Sequence, residues 1–270
     1  MTAELTDIFS NRAAGVKKIV TVSSKLLGEK KTFFYNKKNF IKKNLALKKF
    51  DKLGSMNWHS TAKLVSNSFS DCILVDIGST TTDITPIKKN KILSTGKNDK
   101  ERLKTKELLC LGVLRTPIHA IEKKKNIMYE NFSDLGDVYR VLNKIPNKFD
   151  NSPTLDKKSK SKHASARRLA RIFGKDYKKN NFVKLKKIAK KIADKQKKIV
   201  KKEIYKVRKK NFSKSVPIVG AGVGCFLLKS IFKKKYISFY NKLTLIRKKN
   251  SVNCEAAIAT AINLNRFLKR

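Results

Sequence analysis

Two segments in which a run of apolar, β-branched residues ends at a glycine constrain the fold of this chain most strongly. In the first, residues 72–87, the apolar run ends at Gly78, passes through hydroxyl residues and resumes at Ile84. This pattern predicts a β-hairpin with a tight tip. In the second, an apolar run from Val216 enters the loop G-A-G-V-G and continues at Cys225, which predicts strand, loop and helix. The two units together predict an α/β protein.

Both turns have the composition of phosphate-binding loops, because a phosphate binds where backbone N–H groups converge and no side chain blocks the approach. Asp76, at the end of the first strand, is the candidate Mg²⁺ ligand, and Asp83 closes the same turn. We expect both turns to face one cleft. An ordinary hairpin and a glycine turn that only permits close packing would explain the same residues. The candidate phosphate-binding residues are Gly78, Ser79, Thr80, Thr81, Thr82, Gly220, Gly222 and Gly224.

The charge of the chain raises the question of nucleic-acid binding. There are 65 Lys and Arg against 20 Asp and Glu, a net charge of +45. Such a field attracts polyanions. However, lysines occur in almost every polar stretch, whereas a nucleic-acid site usually concentrates them on one face and interleaves aromatic residues. The distribution therefore favours a general compositional bias over a specific nucleic-acid site.

The cysteines and the N-terminal residues bear on metal binding and location. The four cysteines are far apart and include no C-x-x-C pair, so a structural zinc site is not expected. Residues 1–7 carry two acidic residues and no apolar core, unlike a signal peptide. No run of eighteen apolar residues is present, so no membrane helix is predicted. These features predict a cytoplasmic protein.

Helices are predicted in the second half of the chain. In residues 184–210, apolar side chains such as Leu185, Ile192 and Ile199 recur at helical spacing with lysines between them, which predicts a surface helix. Another helix is expected from Ala164, with Gly174 as its stop. Residues 147–162 are rich in turn formers and charge, which indicates a linker between domains or a loop that lies over a site.

A set of short motifs runs through nearly the whole chain. It comprises M-T-A-E-L (residues 1–5), N-W-H-S-T-A (57–62), D-I-G-S-T-T-T-D (76–83), G-V-L-R-T-P (112–117), D-V-Y-R (137–140), R-L-A-R (168–171) and G-A-G-V-G (220–224). Together these motifs resemble those of the hydantoinase A/oxoprolinase family, in its branch linked to one-carbon metabolism with tetrahydromethanopterin and methanofuran.

The resemblance implies a two-lobed fold of the acetate and sugar kinase–actin (ribonuclease H-like) type. Family members carry a first D-x-G-G phosphate loop upstream of M-T-x-E-L, and this sequence begins at M-T-A-E-L, so we expect an N-terminally shortened chain with an incomplete first lobe and doubtful activity. The expected parts are a remnant of the first lobe (residues 1–60) and a second lobe (61–270), which contains the phosphate hairpin (72–87), a helical insertion (about 98–210), the glycine-rich loop (218–224) and a last helix (254–268).

The resemblance also implies a transferase that condenses a furan-methyl diphosphate with a tyramine-derived phenol and releases diphosphate. Asp76 would hold Mg²⁺, while Arg115 and Arg140 would bind an oxyanion. Glu4, Asp83 or His59 would accept the phenol proton. For Arg140, an ion pair with a helix-face acid such as Asp137 is an equal alternative, and His59 is more often structural.

Two other functions remain open from the sequence. An ATP-dependent amidohydrolase of the hydantoinase type would share the fold and consume ATP while opening a cyclic amide. A basic nucleic-acid-binding protein is the non-enzyme alternative. The expected partners are small diphosphate and phenol or amine substrates, with no specific nucleic acid and no membrane, and a homo-oligomer is compatible with the sequence.

Overall fold

The computed structural model describes Glu4 and residues 6–123, 127–242 and 254–269. The strands in this part of the chain are β1 (Phe34–Tyr35), β2 (Phe40–Ile41), β3 (Cys72–Ile77), β4 (Thr82–Lys88), β5 (Lys91–Ile92), β6 (Leu108–Leu109), β7 (Ile218–Ala221) and β8 (Tyr236–Ser238). The α-helices are α1 (Arg12–Leu27), α2 (Lys43–Lys48), α3 (Asn57–Ser66), α4 (Asp99–Thr105), α5 (Leu135–Val141), α6 (Lys162–Arg171), α7 (Phe182–Asn211), α8 (Cys225–Phe232) and α9 (Glu255–Leu268).

In the part of the chain that the structure describes, a mixed six-stranded sheet forms the centre. Its order is β5-β4-β3-β7-β8, and β6 pairs with β4 beside this path. The strands β3 and β4 are antiparallel, with Asp76 opposite Asp83, whereas β7 is parallel to both β3 and β8. The predicted hairpin and the predicted α/β class are therefore confirmed.

Helices cover both faces of the sheet, because β3 is apolar on both sides. Ile73, Val75 and Ile77 pack in one buried cluster with side chains of α5, α6, α7 and α8. Cys72 and Leu74 point to the other face and pack with side chains of α3 and α9. Each such fully buried aliphatic side chain contributes about 1.5–3 kcal/mol to folding. The strand β3 is therefore packed between two layers of helices.

The long helix α7 matches the surface helix predicted over residues 184–210. Leu185, Ile192 and Val200 are buried on one stripe, and lysines cover the exposed side. Ile199, predicted on the same stripe, is instead 37% exposed. Gln196 takes a place in the buried stripe, where its side chain contacts Tyr139 Oη at 2.5 Å and the Gly112 carbonyl oxygen at 2.9 Å. The amide satisfies two buried polar groups that an aliphatic residue would leave unpaired.

The N-terminal residues form a small layer of their own. The helices α1 and α2 pack around a core that includes Val16, Val20 and Ile41. Helix α3 runs across the boundary predicted at residue 60 and lies against the sheet beside α9. Of the M-T-A-E-L motif, only Glu4 belongs to the described residues. Among the helices in the described ranges, none combines the length and the apolar character needed to span a membrane.

Candidate functional site

The hairpin turn and the glycine-rich loop open into one cavity. Since β3 and β7 are parallel, their carboxyl ends lie at the same edge of the sheet, where Asp76 is opposite Ala221. A cavity of about 490 Å³ lies at this edge, the usual position of ligands in open α/β sheets. Gly78 and Gly222 both line it, as the sequence led us to expect. Among the described residues, the cavity is lined by Asp76, Gly78, Ser79, Leu114, Phe149, Asn151, Ser152, Gly222, Val223, Cys254, Glu255, Ala256 and Ala257.

Gly222 occupies a position that only glycine fits. Its φ is +82°, and a Cβ there would lie 2.4 Å from Asp76 Oδ1 and 2.4 Å from the Ile77 carbonyl oxygen. Its N–H donates a hydrogen bond to Glu255 Oε1 at 3.0 Å. The loop therefore brings its backbone between the carboxylates of Asp76 and Glu255.

Asp76 and Glu255 form an acidic pair on the cavity wall. Burial, together with the nearby charges of Glu255 and Asp83, raises the pKa of Asp76 to about 8. Within the described ranges, no hydrogen-bond donor contacts the Asp76 carboxylate. The other oxygen of Glu255, Oε2, likewise accepts no bond from these residues. The two carboxylates repel each other, and a bound cation would relieve that repulsion.

The hydroxyl-rich turn is fixed by backbone contacts. The Gly78 N–H donates to the Thr81 carbonyl at 2.9 Å, and the Ser79 carbonyl accepts from the N–H groups of Leu114 and Arg115 at 3.0 and 2.8 Å. The Arg115 side chain is exposed. Ser79 Oγ lies 3.4 Å from Thr80 Oγ1. The turn thus presents two neighbouring hydroxyls beside the cavity, and Arg115 is anchored to it through the backbone.

The structure corrects the position of Thr82. This residue is the first of β4 rather than part of the turn, and it is fully buried. Its hydroxyl donates to the Leu111 carbonyl at 2.6 Å, so it faces away from any ligand in the cavity. The predicted phosphate contact from Thr82 is therefore wrong.

Two of the three loop glycines serve packing. A Cβ on Gly220, which lies within β7, would come within 2.4 Å of the Tyr236 ring, and one on Gly224 within 2.4 Å of the Ile77 side chain. The N–H of Gly224 is already donated to the Ile77 carbonyl at 2.8 Å. The alternative role as packing residues therefore holds for Gly220 and Gly224, while Gly222 lies at the cavity.

Asp83 is committed to an ion pair. Arg102, with a side chain 1% exposed, donates to Asp83 Oδ1 at 2.5 Å, and its guanidinium carbon lies 3.7 Å from the centre of the Trp58 ring. Burial raises the pKa of Asp83, against the opposing effect of Arg102. Asp83 does not line the cavity, so the structure does not bring it to the site that contains Asp76.

Glu4 and His59 also lie outside the cavity. Glu4 Oε1 accepts the Ser55 N–H at 3.0 Å in the N-terminal layer. His59 is buried, its Nδ1 is 2.8 Å from Tyr35 Oη, and its pKa is lowered to about 4 by burial and by Lys37 and other nearby cations. Neither residue lines the cavity.

Arg140 lies in a buried ion-pair cluster rather than on the cavity wall. Its Nε and Nη2 donate to Asp150 at 2.6 and 2.7 Å, and its Nη1 donates to Asp137 at 3.1 Å. These contacts engage all three guanidinium nitrogens, so the alternative of an ion pair with Asp137 is the one observed. The structure therefore does not place Arg140 where it could bind an oxyanion in the cavity.

Sequence reasoning missed Glu255, the second carboxylate of the cavity. Glu255 begins α9 and precedes the small residues Ala256 and Ala257. An acidic residue at the start of an apolar helix is the sequence feature that could have indicated this site. The same feature equally predicts a favourable interaction with the helix dipole. Phe149, Asn151 and Ser152 also line the cavity, which agrees with the loop over a site that the sequence left open for residues 147–162.

Comparison with known proteins agrees with this architecture. The sequence pattern of the hydantoinase/oxoprolinase family matches residues 1–261. A protein from Methanocaldococcus jannaschii named (4-{4-[2-(gamma-L-glutamylamino)ethyl]phenoxymethyl}furan-2-yl)methanamine synthase is 32% identical over 230 residues, which are 82% of this chain and 69% of that protein. A protein of the same name from Methanococcus vannielii is 40% identical over 123 residues, 43% of this chain and 55% of that protein. The chain therefore belongs to the hydantoinase/oxoprolinase family.

Proposed function

We propose that this protein is a synthase in the biosynthesis of a furan-containing one-carbon cofactor of the methanofuran type, and that it forms an aryl ether. The observation that carries the proposal is the cavity in which Asp76, the Gly78–Ser79 backbone, Gly222 and Glu255 converge. The names of both relatives support the same reaction class, because each is a synthase whose product contains a phenoxymethyl-furan unit.

The product named for the relatives defines the bond that is made. A phenoxymethyl link joins a phenol oxygen to a furan-bound CH₂ group, so the disconnection yields a 4-[2-(γ-glutamylamino)ethyl]phenol and a furan-methyl group with a leaving group. We take diphosphate as that leaving group. The phenol oxygen attacks the CH₂ carbon, the carbon–oxygen bond to diphosphate breaks with its electron pair on diphosphate, and the phenol proton passes to a base.

The hydroxyl turn is the proposed diphosphate site. Ser79 and Thr80 offer hydroxyl donors, and the open backbone at Gly78 and Gly222 allows close approach of phosphate oxygens. Arg115, whose N–H is bonded to the Ser79 carbonyl and whose side chain is exposed, is the proposed cation beside the leaving group. These donors would stabilise the charge that develops on diphosphate in the transition state.

A divalent cation fits the acidic wall. Mg²⁺ is usually held by one or two carboxylates together with substrate phosphates rather than by a full protein cage. Asp76 meets this requirement, because it lines the cavity and its carboxylate has no donor in the described part of the chain. Among the described residues, no group of three His, Cys, Asp or Glu side chains is placed to hold a metal ion. When bound, Mg²⁺ would neutralise part of the diphosphate charge.

Glu255 is the proposed acceptor of the phenol proton. The Gly222 N–H fixes its Oε1 at 3.0 Å, which leaves Oε2 for a second contact in the cavity. A general base has to lie within hydrogen-bond reach of the proton that it removes. Glu4, Asp83 and His59, which the sequence suggested for this step, lie outside the cavity lining, whereas Glu255 is part of it.

The reaction is tested with a furan-methyl diphosphate that carries an aminomethyl group, the phenol named above, and Mg²⁺. Stoichiometric release of diphosphate and formation of the ether, both dependent on the phenol, are the expected results. The family description favours a second candidate, an ATP-dependent amidohydrolase. Release of phosphate from ATP with a cyclic amide, and no diphosphate from the furan substrate, would support that candidate instead.

A further inference from the structure

One wall of the cavity comes from the long connection between α5 and α6. Residues 142–161 contain one short 3-10 turn (Asn147–Phe149) and otherwise no regular structure. Phe149, Asn151 and Ser152 of this connection line the cavity. Long connections without regular structure are uncommon inside a compact fold and are usually either functional loops or linkers. We call these three residues the rim.

Asp150 lies inside the rim segment but points into the protein. Its side chain is 5% exposed and binds Arg140 through two parallel contacts, Nε to Oδ2 at 2.6 Å and Nη2 to Oδ1 at 2.7 Å. Lys160 also donates to the carbonyl oxygen of Asp150. Arg140 and Lys160 therefore fix the backbone at Asp150, while the adjacent residues Phe149 and Asn151 line the cavity.

Arg140 is itself fixed by a second pair. Its Nη1 donates to Asp137 Oδ1 at 3.1 Å, and Arg168 donates to both oxygens of Asp137 at 2.7–3.0 Å. Arg168 Nη1 also reaches Asp156 at 2.9 Å. The chain of alternating charges ties two points of the connection, Asp150 and Asp156, to the helices α5 and α6.

An ion-pair chain of this kind is a costly way to stabilise a fold. Buried charges lose their hydration, and well-packed apolar residues often stabilise equally well or better. What a bidentate arginine–carboxylate pair provides is one defined orientation. Burial raises the pKa of Asp150, but the hydrogen bond and charge of Arg140 outweigh it and hold the pKa below the usual range, so the pair stays charged. The pair thus fits a role in fixing the position of the rim.

We infer that the rim binds the phenol-bearing acceptor and that Arg140 and Asp150 are positioning residues for this wall. Phe149 is half-buried and presents an aromatic ring for the phenol ring. Asn151 and Ser152, whose side chains have no hydrogen-bond partner in the ranges the structure describes, supply polar contacts for the amide and carboxylate of the acceptor. The inference rests on the proposed function for the identity of the acceptor.

The test compares the Michaelis constants of the two substrates in the full chain. Asn151→Ala removes an exposed rim side chain, and Asp150→Asn removes the charge of the buried pair. We expect each change to raise the acceptor KM about tenfold, with kcat and the KM of the diphosphate substrate changed less than about twofold. Asp150→Glu should recover part of the loss. The matched control is Glu29→Gln, which removes a solvent-exposed ion pair with Lys43 and should change neither KM.

A binding measurement separates this inference from the proposed reaction. Calorimetric titration with 4-[2-(γ-glutamylamino)ethyl]phenol needs no turnover. Three results together would separate the two proposals: the wild type binds this phenol, Asn151→Ala weakens that binding, and the assay releases no diphosphate. In that case the proposed reaction is wrong and the rim inference stands. An unchanged acceptor KM in Asn151→Ala, an equal rise of both KM values, or no binding of the phenol by the wild type would overturn the inference.

Discussion

The substitution Asp76→Asn tests the acidic wall directly, because function and stability should change in opposite directions. The Asp76 carboxyl is buried beside Glu255, and its pKa rises from the ordinary 3.8 to about 8. A folded-state pKa above the unfolded value means that the fold binds the proton more tightly. The stability from this group is complete below about pH 3.8 and is lost as the pH rises towards 8.

The magnitude follows from the size of the shift. Each pH unit within the window from 3.8 to 8 removes up to about 1.4 kcal/mol from the free energy of unfolding. Asp76 borders a cavity open to water, which screens part of this effect. We therefore expect the difference in unfolding free energy between Asp76→Asn and the wild type to grow by about 1–3 kcal/mol between about pH 5 and about pH 9, in favour of the variant.

Urea unfolding at these two pH values, with a chelator present, measures that difference. Asp51→Asn, at an exposed position, is the control and should show no such trend. Mg²⁺ should stabilise the wild type by mass action but not Asp76→Asn, and the variant should lose Mg²⁺-dependent diphosphate release. A variant that is less stable than the wild type at the higher pH, or that keeps near-normal activity, would refute the reasoning.

Three further substitutions or conditions probe the neighbouring structure. Gly222→Ala should lower the unfolding free energy by more than Gly28→Ala. Both positions have positive φ, which costs alanine about 1–2 kcal/mol, but only at Gly222 do other atoms lie 2.4 Å from the new Cβ. Equal losses in denaturant melts would contradict the steric argument. Thr82→Val should cost about 1–3 kcal/mol by leaving the Leu111 carbonyl unpaired, with the KM of the diphosphate substrate unchanged; a raised KM would return Thr82 to the site. The pKa of His59 is about 4 in the folded protein and 6.5 in the unfolded chain. The neutral imidazole therefore contributes to the free energy of unfolding above pH 6.5, and this contribution should fall by up to about 3 kcal/mol as the pH drops towards 4. His59→Gln should not show this loss in acid titrations.

The local elements of the site could be predicted from the sequence. Apolar, β-branched runs that end at glycine specify the hairpin of β3 and β4 and the loop after β7, since the pattern alone determines which residues alternate into the core. The same local rules specify α7, where apolar residues recur every three or four positions. They also placed Asp76 at the end of a strand and Gly78 and Gly222 in turns, and the parallel pairing of β3 and β7 brought those turns to one edge of the sheet.

The partners of each side chain depend on tertiary structure. Thr82 carries a hydroxyl of the kind that contacts phosphates, but the pairing of β4 with β6 directs this hydroxyl towards the Leu111 carbonyl. Arg140 resembles an anion-binding residue until Asp150, ten positions away, occupies its guanidinium. Glu255 reaches Asp76 from 179 positions along the chain (255 minus 76) because α9 packs across the sheet. Periodicity and composition report which face a residue occupies, whereas the identity of the group opposite it is set by the packing of elements distant in sequence.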